Sequence, residues 1–198
     1  MKNILTALFL FYSIGLFAQK KLSTYKVDYL GKKFDIGIIQ KADDYNLHIN
    51  GWSVDQLSDN GGIIIDKKDH KTFLENLEIA REKYMYLSDY TKDKKLKRFT
   101  KKINVKPIKI RGYFDYGDLR FDNDIKPYFE FNVFTRNNVV HYLLMVKTGI
   151  LTDSQAKGVE SDGIVIVMSS LYEIDEFINK VSTERVESFN QKNEAQKI

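Results

Sequence analysis

The stretch YFEFNVFTRNNVVHYLLMVK, residues 128–147, carries the strongest hairpin pattern of the chain. Phe129, Phe131 and Val133 alternate with polar residues, which is the period of a strand with one buried face. Asn137 and Asn138 are residues that tolerate the positive φ angles of a tight hairpin turn. The segment therefore predicts two adjacent antiparallel strands.

Short apolar runs separated by turn residues continue this pattern on both sides of the hairpin. Beyond the hairpin, we predict strands at residues 26–30, 34–39, 45–49, 63–65, 107–114 and 164–168. The first three form an antiparallel meander, because the polar segments that connect them are short.

Two amphipathic helices interrupt the strands. The first carries its apolar residues at offsets of 4, 7, 11 and 14, which places them on one helical face. These residues are Phe73, Leu77, Ala80, Tyr84 and Leu87. The second begins with Ser170 and Glu173 at the spacing of a capping box, followed by an apolar run that includes Phe177 and Val181. Both helices are predicted to pack on the sheet.

The fold prediction is an α+β domain over residues 19–182, mainly antiparallel sheet with two amphipathic helices packed on it. Each half is a β-rich segment closed by one helix, so we hypothesise a pseudo-repeat of residues 24–91 and 107–182. One continuous sheet is the preferred topology. A curved sheet that wraps around a helix and encloses an apolar cavity is the alternative. Residues 183–198 are predicted to be a polar tail.

Residues 1–18 have the pattern of a secretory signal peptide. Lys2 precedes an apolar run of fourteen residues, Ile4 to Phe17. As a helix this run would span about 21 Å, less than the roughly 30 Å of a hydrocarbon core. We expect cleavage near Ala18 and Gln19, no transmembrane anchor afterwards, and a periplasmic or secreted protein.

The chain has no cysteine, so its stability in an oxidising compartment must come from burial rather than from disulfides. Its formal net charge is only +4. The charge is unevenly distributed, because Lys92 to Arg111 hold ten basic residues and the single acid Asp93, a net charge of +9. Without that segment and Lys2 the chain carries −6, since 4 − 1 − 9 = −6.

This segment gives the candidate anion-binding residues. They are Lys94, Lys95, Lys97, Arg98, Lys101 and Lys102, called the basic cluster below. Such a cluster could bind an anionic surface, an acidic glycan or an acidic protein. The alternative is a solvated connector that leaves the first helix. No nucleic-acid partner is expected, because the sequence has no groove-reading motif.

Trp52, the only tryptophan, is a second candidate. It follows Gly51 and could stack on a ligand, or it could close the sheet as a core residue.

No catalytic residue, metal site or cofactor is predicted. The three histidines, His48, His70 and His141, lack the spacing of a two-histidine metal pair, and His70 is expected to be an exposed residue of a first helical turn. A nucleophile elbow, cysteine and phosphate-binding glycine loops are all absent from the sequence.

Carboxylates leave one enzymatic class open. Glu130, Asp115 and Asp118 could form a glycosidase pair if folding brought them together. The acidic run 115–124 does not match the spacing of a calcium loop. We therefore expect an exported, non-enzymatic binding or interaction module with an anionic partner. The alternatives are a small secreted hydrolase that uses paired carboxylates and a carrier of an apolar ligand.

Overall fold

The computed structural model describes residues 19–41, 44–54, 61–156 and 158–195. The signal peptide predicted at residues 1–18 lies outside the described residues. Among the described residues, no helix has the length and apolar character needed to cross a membrane.

Two antiparallel sheets form the β part of the fold. The six-stranded sheet has the order β1-β2-β3-β5-β7-β8. Its strands are β1 Lys20–Val27, β2 Lys32–Lys41, β3 Asp44–Asn50, β5 Gly61–Asp66, β7 Ile110–Tyr116 and β8 Asp118–Ile125. The five-stranded sheet has the order β4-β13-β10-β9-β6. Its strands are β4 Trp52–Ser53, β13 Ile164–Met168, β10 Val139–Lys147, β9 Tyr128–Arg136 and β6 Phe99–Ile103.

Smaller elements complete the chain. A 3-10 turn, Asp28–Leu30, connects β1 and β2, and β11 Leu151–Thr152 pairs with β12 Glu160–Ser161. The helices are α1 Lys67–Asp93, α2 Leu171–Lys180 and α3 Thr183–Ala195. The α+β class with mainly antiparallel sheet is therefore confirmed.

The hairpin predicted from residues 128–147 is β9 and β10. Arg136 pairs with Val139, and Asn137 and Asn138 have φ angles of 50° and 61°. Both central residues have positive φ, which is the turn whose twist matches that of paired strands.

Helix α1 lies between the two sheets, packing on β3 and β5 of one and on β6, β9 and β10 of the other. The predicted face of α1 is buried from Phe73 to Leu87. The Phe73 ring lies 6.3 Å from that of Phe129, and the Tyr84 ring 5.6 Å from that of Phe131. The strands thus separate into two sheets instead of the predicted continuous one, because α1 fills the space between them.

The strand order agrees with the predicted alternation of sheet and helix. The strands β1-β2-β3-β5 precede α1, and β6-β9-β10-β13 precede α2. Two elements depart from this pattern. Strand β4 precedes α1 but belongs to the second sheet, and the hairpin β7–β8 lies within the second set along the chain but extends the edge of the first sheet. Whether residues 24–91 and 107–182 form a true repeat stays a prediction.

Half of the predicted capping box forms at the start of α2, because the Glu173 carboxylate binds the amide of Ser169 and not that of the N-cap residue Ser170. The Ser170 hydroxyl accepts a hydrogen bond from the Glu173 amide at 3.1 Å. The buried Glu173 carboxylate accepts from the Ser169 amide at 2.6 Å and from the Asp28 amide at 2.7 Å. Glu173 therefore joins the β1–β2 turn to the start of α2.

Residues 183–195, predicted to belong to a polar tail, form helix α3. Val186 is fully buried, and Phe189 is half-buried against the core. Two apolar residues three positions apart suffice to hold one side of a short helix on the domain.

Candidate functional site

The basic cluster occupies the turn that ends α1 and the strand β6 that follows. All six of its residues are exposed. Strand β6 is the last strand of the five-stranded sheet, so one of its edges is open. The predicted residues are therefore adjacent in the fold, around the open edge of the five-stranded sheet.

The two lysines of the basic cluster that belong to β6 lie on opposite faces of the strand. Lys101 pairs with the fully buried Phe131, so it shares the face of the sheet that packs on α1. Lys102 pairs with Glu130 on the opposite face, and its ammonium lies 4.3 Å from the centre of the Tyr128 ring. Lysines on an open edge also hinder pairing with a second sheet, which is the structural role consistent with a solvated connector.

The end of α1 shows an unusual residue choice. The Leu96 amide donates to the Thr91 carbonyl and the Lys95 amide to the Lys92 carbonyl, both at 2.9 Å. These two bonds define a Schellman motif, whose left-handed position favours glycine. Here Lys95 takes that position with a φ of 52°. A lysine at this point costs backbone energy and adds a cation to the cluster.

Ion pairing divides the basic segment into two parts. Lys106 pairs with Glu75 at 2.6 Å, Lys109 with Asp124 at 2.9 Å, and Arg111 with Asp66 at 2.6 Å. Within the described ranges, none of the six side chains of the basic cluster forms an ion pair. The positive charge of residues 94–102 is thus uncompensated at contact distance, whereas that of residues 106–111 is compensated.

Exposed aromatic residues adjoin the basic cluster. The Tyr86 and Tyr90 rings are stacked, with centres 6.4 Å apart and planes 16° apart, and the Tyr90 ring lies 6.3 Å from that of Phe99 in β6. Tyr86 is 65% exposed and Tyr90 41%.

These tyrosines were not among the predicted site residues, although the sequence carried a signal. Lys83, Tyr86, Tyr90 and Lys94 are at offsets of 3, 7 and 11, which is the spacing of a single line along a helix. We call these four residues the α1 stripe. The buried side of α1 has the stronger periodicity, so the sequence pattern did not predict a role for the exposed side.

Trp52 lies apart from the basic cluster. It is half-buried on β4, where it pairs with Val165, and β4 and β6 are at opposite edges of the five-stranded sheet. The Lys32 ammonium lies 4.5 Å from the centre of the Trp52 ring. Lys32 thus occupies one face of the ring that the predicted ligand stacking would use.

His70 is buried, so the expectation of an exposed histidine was wrong. Its Nε2 lies 2.7 Å from the Val181 carbonyl oxygen, and its Nδ1 lies 2.7 Å from the Tyr45 hydroxyl. A carbonyl can only accept, so Nε2 carries the proton and Nδ1 accepts from Tyr45. Burial lowers the pKa of His70 below its ordinary value and raises that of Tyr45 to about 12.

A cavity of about 400 Å³ lies beside His70, between β3, α1 and α3. Its lining is polar and mixed in charge, including Asp44, Lys67, Lys71 and Glu187. Because both ring nitrogens of His70 are already hydrogen-bonded, the imidazole has no free position for acid–base exchange with a bound molecule.

The three candidate carboxylates are divided between the two sheets, so Glu130 lies apart from Asp115 and Asp118. The Glu130 carboxylate of β9 forms an ion pair with the Lys147 ammonium at 3.1 Å. Asp115 and Asp118 lie at the β7–β8 hairpin of the six-stranded sheet, and Asp118 contacts Arg120 at 3.4 Å. The described residues contain no group of three or more side chains suited to hold a metal ion.

Comparison with protein families, with characterised proteins and with solved structures finds no match to this chain.

Proposed function

We propose that this protein is an exported, non-enzymatic binding module that holds an anionic partner through the basic cluster. The observation that carries the proposal is the contrast within the basic segment. Residues 106–111 are paired with acids, whereas residues 94–102 present six exposed cations that have no acid at contact distance among the described residues.

Physical chemistry supports a binding role for such a surface. Uncompensated like charges repel one another, so binding of an anionic partner relieves the repulsion among the cations of such a cluster. Lys95 adds to the argument, because a glycine would fit its left-handed backbone better and would contribute no charge.

The test compares two variants of equal net charge. Lys95, Lys97, Arg98 and Lys101 are changed together to glutamine in the first. The matched control carries the same change at four exposed lysines elsewhere, namely Lys33, Lys68, Lys126 and Lys192. Retention on heparin and on vesicles that contain an anionic lipid is measured as salt is raised.

Wild type and control are expected to be retained at low salt and released as salt rises, because salt screens exposed charges beyond about 8 Å at physiological ionic strength. The cluster variant should be released at markedly lower salt. Equal losses in the two variants would mean that only net charge matters, and no loss in either would leave residues 94–102 a solvated connector. Either result would overturn the proposal.

A further inference from the structure

The α1 stripe adds aromatic surface to the basic cluster, and this combination restricts the chemistry of the partner. Tyr86 and Tyr90 lie between Lys83 and Lys94 along the exposed side of α1. The four residues extend over about 17 Å, at a rise of 1.5 Å per residue. A ligand along this line would meet a cation, two aromatic rings and a second cation.

The tyrosines are available for a ligand. Both rings are substantially exposed, and their stacking leaves the outer face of Tyr86 uncovered by Tyr90. In the part of the chain that the structure describes, neither hydroxyl takes part in a hydrogen bond. Exposed aromatic rings with a free polar end are typical of recognition surfaces, because one end is apolar and the other can be hydrated.

Strand β6 continues the surface beyond the helix. The Phe99 ring contacts that of Tyr90, and Lys101 projects from the same face of β6 as Phe99. Lys97 and Arg98 are exposed just before that strand. Aromatic rings are thus flanked by cations along the surface from Lys83 to Lys101.

Acidic residues of α1 argue for a narrow partner. Asp89 and Asp93 are exposed on the same side of the helix, next to the stripe. A broad anionic surface such as a bilayer would cover these carboxylates as well, at an electrostatic cost. A chain one sugar ring wide covers a narrower strip of the helix surface, so it covers less of these carboxylates than a bilayer does.

We propose that the α1 stripe and the adjoining basic cluster bind a linear acidic polysaccharide, with sugar rings stacked on Tyr86 and Tyr90 and acid groups bound by Lys83, Lys94 and Lys101. This inference rests on the proposed anion-binding function and adds the class of partner. The apolar faces of pyranose rings supply the surface that tyrosine rings contact, and uronate or sulfate groups supply the charge.

The experiment measures the affinity of the full mature chain for two polyanions. Oligogalacturonate carries carboxylates on pyranose rings, whereas polyphosphate of matched charge has no ring. The test variant is Tyr86→Ala with Tyr90→Ala. The control is Tyr116→Ala with Tyr172→Ala, which removes two tyrosines that are 56% and 72% exposed elsewhere. Circular dichroism and the melting temperature confirm that each variant is folded.

The stripe variant is expected to bind oligogalacturonate roughly fivefold to a hundredfold more weakly, since each aromatic contact contributes about 0.5–1.5 kcal/mol. Its affinity for polyphosphate should change less than about twofold, because its charge is unchanged. The control variant should match wild type with both ligands.

The outcomes separate the two proposals. If the fourfold glutamine variant weakens binding of both polyanions and the stripe variant weakens neither, the polysaccharide inference fails and the anion-binding function stands. If the glutamine variant also changes nothing, the proposed function fails. Retention on anionic vesicles that depends on Tyr86 and Tyr90, with no binding of oligogalacturonate, would identify a membrane surface instead and overturn the inference.

Discussion

The inner and outer sides of helix α1 differ in their exposure to solvent and in the contacts that their side chains make. On the inner side, the buried Tyr84 ring packs on Phe131, and burial raises the pKa of its hydroxyl to about 12. Two residues later, Tyr86 is 65% exposed and contacts Tyr90. The residue type is the same, and only the position around the helix differs. The position of a tyrosine around the helix therefore decides whether its ring belongs to the core or is exposed to solvent.

The largest expected difference between the two sides is in stability. Phe73→Ala should lower the free energy of unfolding by about 3–5 kcal/mol, because it removes a fully buried ring and leaves a cavity against Phe129. Tyr86→Ala should change it by less than about 0.5 kcal/mol, as surface substitutions usually do. Urea denaturation measures both values. Similar losses in the two variants would show that the outer side is also part of the core.

The inner side should also respond to pH through His70. Its pKa is lowered in the folded state, mainly by burial, so the unfolded chain binds more protons below its ordinary value of about 6.5. The stabilisation from neutral His70 is therefore complete above about pH 6.5 and is lost as the pH falls, by at most about 1.4 kcal/mol per pH unit.

Denaturation of wild type and His70→Gln between pH 5 and 8 isolates this contribution. Glutamine keeps one donor and one acceptor for Val181 and Tyr45 but does not titrate. The control His141→Gln makes the same substitution at a half-buried histidine outside α1. If His70→Gln keeps the pH dependence of wild type, other groups cause it.

At the exposed end of α1 we predict a small gain in stability instead of a loss. Lys95→Gly should raise the free energy of unfolding by about 0.5–1 kcal/mol, because the left-handed φ of 52° suits glycine. Lys97→Gly should not stabilise, since Lys97 does not have positive φ. Each variant removes one cation, so both should weaken heparin retention. A stability gain without loss of retention would mean that Lys95 is outside the anion-binding surface.

Much of the fold could be predicted because its strongest elements have a clear period. The alternation in residues 128–136 and the offsets of Phe73, Leu77 and Tyr84 report burial directly. The partition into two sheets could not be predicted, since nothing local to β7 and β8 specifies that they extend the first sheet. Helix α3 was missed because only Val186 and Phe189 mark its buried side.

Prediction of the candidate site from sequence is limited in the same way, because long-range contacts are not visible in local sequence. Sequence located the basic cluster, but ion pairing depends on acids that folding brings near. Glu75, Asp124 and Asp66 lie 31, 15 and 45 residues from their partners Lys106, Lys109 and Arg111. Likewise, His70 is buried because Val181, 111 residues away, packs over the first turn of α1.

The hydrogen bonds of the Glu173 carboxylate constrain the order in which the parts of the domain come together during folding. Its partner, the Asp28 amide, lies 145 residues earlier in the chain. Local contacts can form α2, but its buried carboxylate has this partner only after the first hairpin has reached the second sheet. Contacts of such long sequence separation slow folding, because the chain must lose loop entropy before they form. The two ends of the domain are thus joined by this hydrogen bond, and a chain cut before Ser169 would leave the Asp28 amide of the β1–β2 turn without its acceptor, the Glu173 carboxylate.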